Sequence, residues 1–316
     1  MSVENSSKYR FERISEDRIK DIVPVFNALF RKKFTEKYLR RKYDTAYCGL
    51  SHVCYMAYDD DGSAVAFYGS LPYRFLYKGR EVYIVEACDS LTLPDHQKKG
   101  LHFQLANLSY EFMRQNKVLF VFALHSATTF HHTKRLQWEN LEHLHRYHIR
   151  PLTLPLNKLF FRMPAFLHRT YTRLVKKSWK KYISEEGWFE NPLHAEGFLS
   201  VRYSPEFFRY KQAGGSFLLK ISGKQIWVKI EGALLVGAME DCDLTTFREI
   251  LLQLQRMCQW VGINEILFQI SPGTRLDAML STLFPALPSW LVGYLNFSLD
   301  IPFEALKFNS GDLDSF

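Results

Sequence analysis

The chain has 316 residues, enough for one large domain or two ordinary ones. With 47 % hydrophobic and 23 % charged residues it carries ample core material, which excludes disorder as its main state. Lys and Arg outnumber Asp and Glu by 41 to 33, a net charge of +8 and a pI of about 9.1, so anionic partners are favoured over cationic ones.

The first residues, MSVENSSKYRFE, are polar and do not read as a secretory leader. Residues 8–14 read as a strand. Ser15 is a candidate N-cap, and Ile19, Ile22, Val23, Phe26, Leu29 and Phe30 recur at helical spacing, with Pro24 obscuring where that helix begins. Thr35 caps a second helix, and Asp-Gly at 61–62 joins strands at 52–58 and 63–70 in a hairpin. A strand at 81–93 leads through Pro94–Gly100 into a helix at 101–115, whose apolar face is Leu101, Leu105, Leu108 and Phe112. The apolar run 118–124 is a central strand, a short helix ends near Trp138, and 141–150 is a further strand.

Residues 155–183 read as one amphipathic, basic helix; 151–190 hold eight Lys or Arg against three Glu. Such a segment is a connector with a solvated face, a contact for a membrane surface or anionic polymer, or an oligomer interface. Ser204 caps a helix as Thr35 does. Strands at 216–221, 225–231 and 233–239, a helix at 244–261, a strand at 265–270, a helix at 274–283 and a strand at 290–299 repeat the order of the first half. A diverged duplication accounts for this, in an α/β (α+β layered) fold of two mixed-sheet domains. The boundaries expected are 1–150, a basic connector at 151–190, and 191–316. The uncharged stretch Ala278–Leu299 is long enough to span a bilayer, but Pro285, Pro288 and Gly293 break it into helix, turn and strand. Five cysteines without a CxxC pair fit a reducing, cytoplasmic compartment.

Chemistry concentrates at SLTLPDHQKKGLHFQLA, residues 90–106. A strand ends, Gln97-x-x-Gly100 forms a loop, and a helix begins. Free amides at a helix N-terminus and the helix dipole suit a pyrophosphate. Gly100 lets the anion approach the backbone, and Lys98 and Lys99 add positive charge. On the strand before the loop, alternation places Glu86, Cys88 and Ser90 on one face and Ala87, Asp89 and Leu91 on the other. An acidic side chain in an otherwise apolar strand can serve as a general base, or can pair with Arg74 or Arg80. His143 and His145 put two rings on one strand face, yet only Glu139 and Glu142 lie near them in sequence, and no metal is expected.

At these residues the chain resembles the GNAT superfamily of acyl-CoA N-acyltransferases, whose signature is Gln/Arg-x-x-Gly-x-Gly/Ala after the fourth strand. Gln97 and Gly100 match; His102 departs from the last position and is expected to crowd the loop. The element order of residues 8–150 also matches, and the second half resembles the same fold without the loop, as in tandem GNAT proteins with a degenerate second domain. There Glu240-Asp241-Cys242-Asp243 runs straight into a helix and would repel a pyrophosphate. The resemblance implies acetyl-CoA or another acyl-CoA as co-substrate. Its pantetheine arm would pair with Leu91, Thr92 and Leu93, and its pyrophosphate would lie on Gln97, Lys98, Lys99, Gly100, Leu101 and His102. The thioester would lie where strands 84–93 and 118–124 splay. Glu86 stands where some members carry a catalytic glutamate; Asp89 is the alternative. The usual tyrosine acid falls on Thr133, beside His131 and His132, so His132 is the candidate acid. The tail Gly311-Asp312-Leu313-Asp314-Ser315-Phe316 resembles endings of some tandem GNAT proteins.

These readings point to an N-acetyltransferase acting on a small-molecule or glycan-type amine acceptor, acidic in view of the +8 charge. The alternatives are a Fem-type aminoacyl-transferase and a non-catalytic CoA-binding or scaffold protein of this fold. No specific nucleic-acid partner is expected. A peripheral contact with an anionic surface through residues 158–181 is the further partner considered.

Overall fold

Strand β1 (Arg10–Arg13) pairs antiparallel with β2 (Val53–Tyr58), Phe11 facing Ala57. A 3-10 turn at Glu16–Asp21 precedes α1 (Ile22–Leu29), so Pro24 falls in a first turn where a missing N–H costs no intrahelical bond. Helix α2 (Glu36–Tyr43) starts at Thr35, whose Oγ1 accepts from the Tyr38 N–H at 3.2 Å. The acidic turn after β2 leads into β3 (Ala64–Tyr77), with Asp59 Oδ1 accepting from Ser63 N–H at 3.0 Å. Strand β4 (Arg80–Thr92), helix α3 (Leu101–Gln115) and strand β5 (Val118–His125) form a parallel crossover. The computed structural model describes residues 8–31, 33–125, 135–298 and 302–316; the short helix expected before Trp138 lies largely outside them.

Two compact units result. The first comprises residues 1–74, 82–140 and 293–301; the second comprises 75–81, 141–292 and 302–316. In the first, the strand order is β1-β2-β3-β4-β5. Helix α3 covers one face with Leu101, Leu105, Ala106, Tyr110 and Met113, packed with Val65, Val85, Val121 and Trp138. The expected face is thus corrected by about a quarter turn. Leu108 is 39 % exposed, and Phe112 lies under the Arg13 guanidinium, 4.1 Å from its ring centre. The bulk of Tyr110 and Met113 fills the space over the sheet better than Leu108 could.

In the second unit the strands β6 (Glu139–Ile149), β8 (Phe217–Ile221), β9 (Lys224–Glu231), β10 (Ala233–Met239) and β11 (Ile266–Ile270) follow the order β6-β11-β10-β9-β8. The two-residue strand β7 (Ser200–Val201) pairs with the end of β3 at Phe75 and Leu76. The expected single basic helix is two, α4 (Leu156–Arg162) and α5 (Ala165–Ser178). Met163, before Pro164, is forced out of the helical region to φ −81°, ψ 170°, which breaks the run. Helix α6 (Pro205–Gln212) is capped by Ser204 Oγ, which accepts from Phe207 N–H at 3.2 Å. Helix α7 (Leu244–Val261) crosses from β10 to the parallel β11. The uncharged run at 278–299 divides between α8 (Arg275–Ser281) and β12 (Leu287–Asn296), as its prolines imply. Among the described residues no helix is long and apolar enough to cross a membrane.

The tail of the second unit is a packed plug. Gly311 lies so close to the Trp227 ring that a Cβ would overlap it, and Phe316 stands 4.8 Å from that ring, centre to centre. Asp312 accepts from Tyr203 Oη at 2.7 Å and from the Asn309 N–H at 2.7 Å. Burial pushes its carboxyl up to about 7, against the opposing pull of these bonds and of Lys211.

Candidate active site

Strands β4 and β5 pair in parallel, first Tyr83 opposite Val118, then Ile84 opposite Phe120 and Val85 opposite Val121. A shift between Tyr83 and Ile84 skips Leu119, whose carbonyl accepts from Phe297 N–H at 2.9 Å. The pairing ends at Glu86 opposite Phe122, although β4 runs on to Thr92 and β5 to His125. The two strands therefore part at their carboxyl ends, where parallel sheets present ligand sites. Leu91 and Thr92 end β4 beyond its pairing with β5, and Leu93 follows, its N–H donating to the Val65 carbonyl of β3 at 2.9 Å; all three are half-exposed.

The loop after β4 is held by its own side chains. Tyr9 Oη and His96 Nδ1 are 3.0 Å apart, and Gln97 Nε2 donates to the Thr92 carbonyl at 3.3 Å. Lys98 takes φ +60° and Gly100 φ +78°, which turns the chain sharply into α3. Among the described residues no side chain caps this helix. A Cβ on Gly100 would meet nothing closer than Gln104 Nε2 at 4.0 Å, so the approach to the helix start is open. Lys98 and Lys99 are exposed beside it. An uncapped helix N-terminus with room above it and two cations at hand fits an anionic phosphate group. The start of α7 in the second unit differs: Asp243 Oδ1 accepts from Thr246 N–H at 2.8 Å, so a carboxylate already occupies it.

His102, expected to crowd the loop, turns away from it. Its Nδ1 lies 2.5 Å from Ser90 Oγ and its ring centre 5.7 Å from that of Tyr68, so the side chain turns back onto the sheet. Strict alternation in β4 also fails. Val85 and Ala87 face α3, and so does Ser90 through His102. Glu86 and Asp89 share the other side, with Tyr73, Tyr43 and Phe67. The slip of one residue between Ala87 and Asp89 is what an extra residue in a strand produces, and it brings both candidate carboxylates to one face.

Those carboxylates differ in setting. Glu86 is 3 % exposed and accepts from Tyr73 Oη at 3.2 Å. Arg74, considered as its partner, donates Nε to the Cys48 carbonyl at 2.7 Å. Asp89 accepts from Tyr43 Oη at 2.5 Å and pairs with Lys42 Nζ at 2.7 Å. Gly69 makes this possible, because a Cβ there would stand 2.8 Å from Tyr43 Oη and 2.6 Å from the Phe67 ring. Asp89 is thus anchored by a cation and a phenol at once, which suits a positioning residue.

His132 lies outside the described residues. His125, which ends the apolar run of β5, carries the site's unanticipated feature. It is 4 % exposed, and among the described residues neither ring nitrogen has a hydrogen-bond partner. Its ring centre is 5.4 Å from that of Trp138, and Gly293 is the residue whose missing Cβ makes room for it. Burial lowers its pKa, so it is neutral at physiological pH. Trp138 Nε1 donates to Tyr110 Oη at 3.0 Å, and Tyr110 lies 3.1 Å from Tyr68 Oη. Burial pushes the Tyr110 phenol up to about 12. The sequence signal for His125 was a polar residue closing a wholly apolar strand. His143 and His145 have separate partners, the Ser289 carbonyl at 3.1 Å and Asp277 Oδ1 at 2.7 Å.

Comparison with known proteins bears on the fold. No curated protein matches the sequence significantly. Among solved structures, a GCN5-related N-acetyltransferase from Kribbella flavida has TM-score 0.59 at 13 % identity, over 90 % of this chain and 70 % of that one. A protein of unknown function from Enterococcus faecalis, titled a probable N-acyltransferase, has TM-score 0.61 at 10 % identity, over 93 % and 74 %. The N-myristoyltransferase of Saccharomyces cerevisiae with bound myristoyl-CoA has TM-score 0.55 at 11 % identity, over 93 % and 80 %. At such identities these likenesses establish the fold, a mixed α/β fold with a large mixed sheet. Residues 10–140, which contain the β4–α3 loop and the parting strands, match the family model of an acetyltransferase (GNAT) domain.

Proposed function

We propose that the first unit is an acyl-CoA-dependent N-acyltransferase. The observation that carries this reading is the uncapped N-terminus of α3 behind Gly100, set at the point where β4 and β5 part. The backbone of Leu91, Thr92 and Leu93 adds an extended pantetheine arm as a strand edge would. The amides from Gln97 to His102, with Lys98 and Lys99, hold the pyrophosphate. A bound acyl-CoA supplies an activated thioester. Glu86 takes a proton from the acceptor amine, and Asp89, fixed by Lys42 and Tyr43, shapes the same face. His132 is the proton donor of this reading; His125, held neutral by burial at the end of β5, can donate a hydrogen bond in the site but not a proton to the leaving thiolate. Acetyl-CoA is the acyl donor we favour, and an acidic small-molecule or glycan-type amine the acceptor, in view of the +8 charge. The second unit, with its own hairpin, crossover helix and parallel strand, is in this reading a diverged copy that binds no CoA, because Asp243 fills the start of α7.

The test joins two measurements on the full chain. Calorimetric titration with acetyl-CoA should show micromolar binding that Gly100→Trp abolishes. Thiol release over a panel of acidic and neutral amines should then find an acceptor, with turnover reduced about 10²–10⁴-fold in Glu86→Gln and acetyl-CoA affinity kept. Absence of binding, or binding indifferent to Gly100→Trp, refutes the reading. Binding without turnover on any amine leaves a non-catalytic CoA-binding protein in its place.

A further inference from the structure

Residues 151–184 contain eight Lys or Arg and no Asp or Glu. Helix α5 buries Tyr171 and Val175, and its opposite stripe carries Phe166, Arg169, Arg173, Leu174 and Lys177, all exposed. The segment before α4 runs along the end of α7. Thr153 Oγ1 donates to the Gln259 carbonyl at 2.9 Å, and Asn157 N–H to the Gly262 carbonyl at 3.0 Å. Tyr171 Oη ties α5 to the same corner, at 2.8 Å from the Val261 carbonyl. Along the end of α7, Leu152 is 92 % exposed, Leu154 72 % and Trp260 88 %, and the outer stripe of α5 adds Phe166 at 64 %. Large apolar side chains so exposed, drawn from three segments of chain beside a basic stripe, mark an interaction surface.

We infer that this face of the second unit docks on an anionic lipid bilayer. Charge decides the partner. Lys158 is paired with Glu265, but the exposed stripe of α5 carries Arg169, Arg173 and Lys177 in a segment with no carboxylate of its own, so two copies would repel across a two-fold contact, which disfavours a self-association site. Leucines beside a single exposed Trp offer little for stacking on bases. They are suited to the acyl boundary of a membrane, with Trp260 at the headgroup level and Arg169, Arg173 and Lys177 reaching phosphates along the helix. This inference stands apart from the acyltransferase reading, since it uses none of the residues of the first unit.

Co-sedimentation of the full chain with vesicles of phosphatidylcholine, with and without phosphatidylglycerol, tests it. Binding is expected only when phosphatidylglycerol is present. The triple variant Arg169→Gln, Arg173→Gln, Lys177→Gln should bind about 100-fold more weakly, at about fivefold per cation. The double variant Phe166→Ser, Trp260→Ser should lose binding by at least tenfold. All five side chains are exposed, so unchanged melting temperatures confirm that the variants fold. Four outcomes overturn the inference: no binding to anionic vesicles, loss in the triple variant without loss in the double one, a dimer of the free protein that the double variant dissolves, or a higher affinity for single-stranded nucleic acid than for the vesicles.

Discussion

Gly100→Ala separates two consequences of one methyl group. At φ +78° an L-residue pays about 1–2 kcal/mol of backbone strain. Among the described residues no clash adds to that, because the nearest atom to the new Cβ is Gln104 Nε2 at 4.0 Å. The melting temperature should therefore fall by only about 2–8 °C. Ligand binding should suffer more. The methyl sits over the amides that open α3, and loss of two charge-assisted hydrogen bonds to a phosphate removes roughly 3–6 kcal/mol. Acetyl-CoA affinity should drop at least about 100-fold. Gly223→Ala is the control: φ is +76°, no atom lies within 4 Å of the new Cβ, and the turn belongs to the second unit. Calorimetric titration of both variants, below their melting temperatures by scanning calorimetry, gives the comparison. Equal melting shifts with unchanged acetyl-CoA affinity in both would refute the placement of the phosphates on this loop.

Other perturbations probe the packing that sets the site. Gly69→Ala drives a methyl against Phe67 and Tyr43, and should cost about 1–3 kcal/mol in denaturant unfolding as Tyr43 is displaced from Asp89; an unchanged midpoint would contradict the close approach. Phe316→Ala should lower stability by about 3–5 kcal/mol, since it empties the space beside Trp227, and intrinsic tryptophan fluorescence should report the same transition. Asp312 has a folded pKa of about 7, raised from 3.8, so the folded state retains its proton longer than the unfolded one. The stabilisation is complete below pH 3.8 and is lost as pH rises towards 7, by about 1.4 kcal/mol per unit. Chemical unfolding across that range should show the slope, and Asp312→Asn should remove it; an identical slope in the variant would mean another group titrates.

Much of the local structure was legible in the residues. Thr35 and Ser204 cap helices because a short hydroxyl side chain before an apolar periodic run has an orphan amide within reach. The strand–loop–helix at Gln97–Gly100 was readable for the same reason, since a turn into a helix with φ above zero requires a residue such as glycine. Helix α7 occupies the 244–261 range that its apolar period marks out. These features depend on neighbours within one or two turns of chain. What tertiary structure decided depends on contacts far apart in sequence. The slip in β4 that puts Glu86 and Asp89 on one face is set by Tyr43, Tyr73 and His102. The buried face of α3 is set by the shape of the sheet beneath Tyr110 and Met113. His125 became a candidate only when Gly293 and Trp138 closed around its ring. Residue type and spacing determine which elements form, but packing chooses which side chains meet, because a one-residue slip or a small helix rotation changes every partner while leaving local propensity almost unaltered.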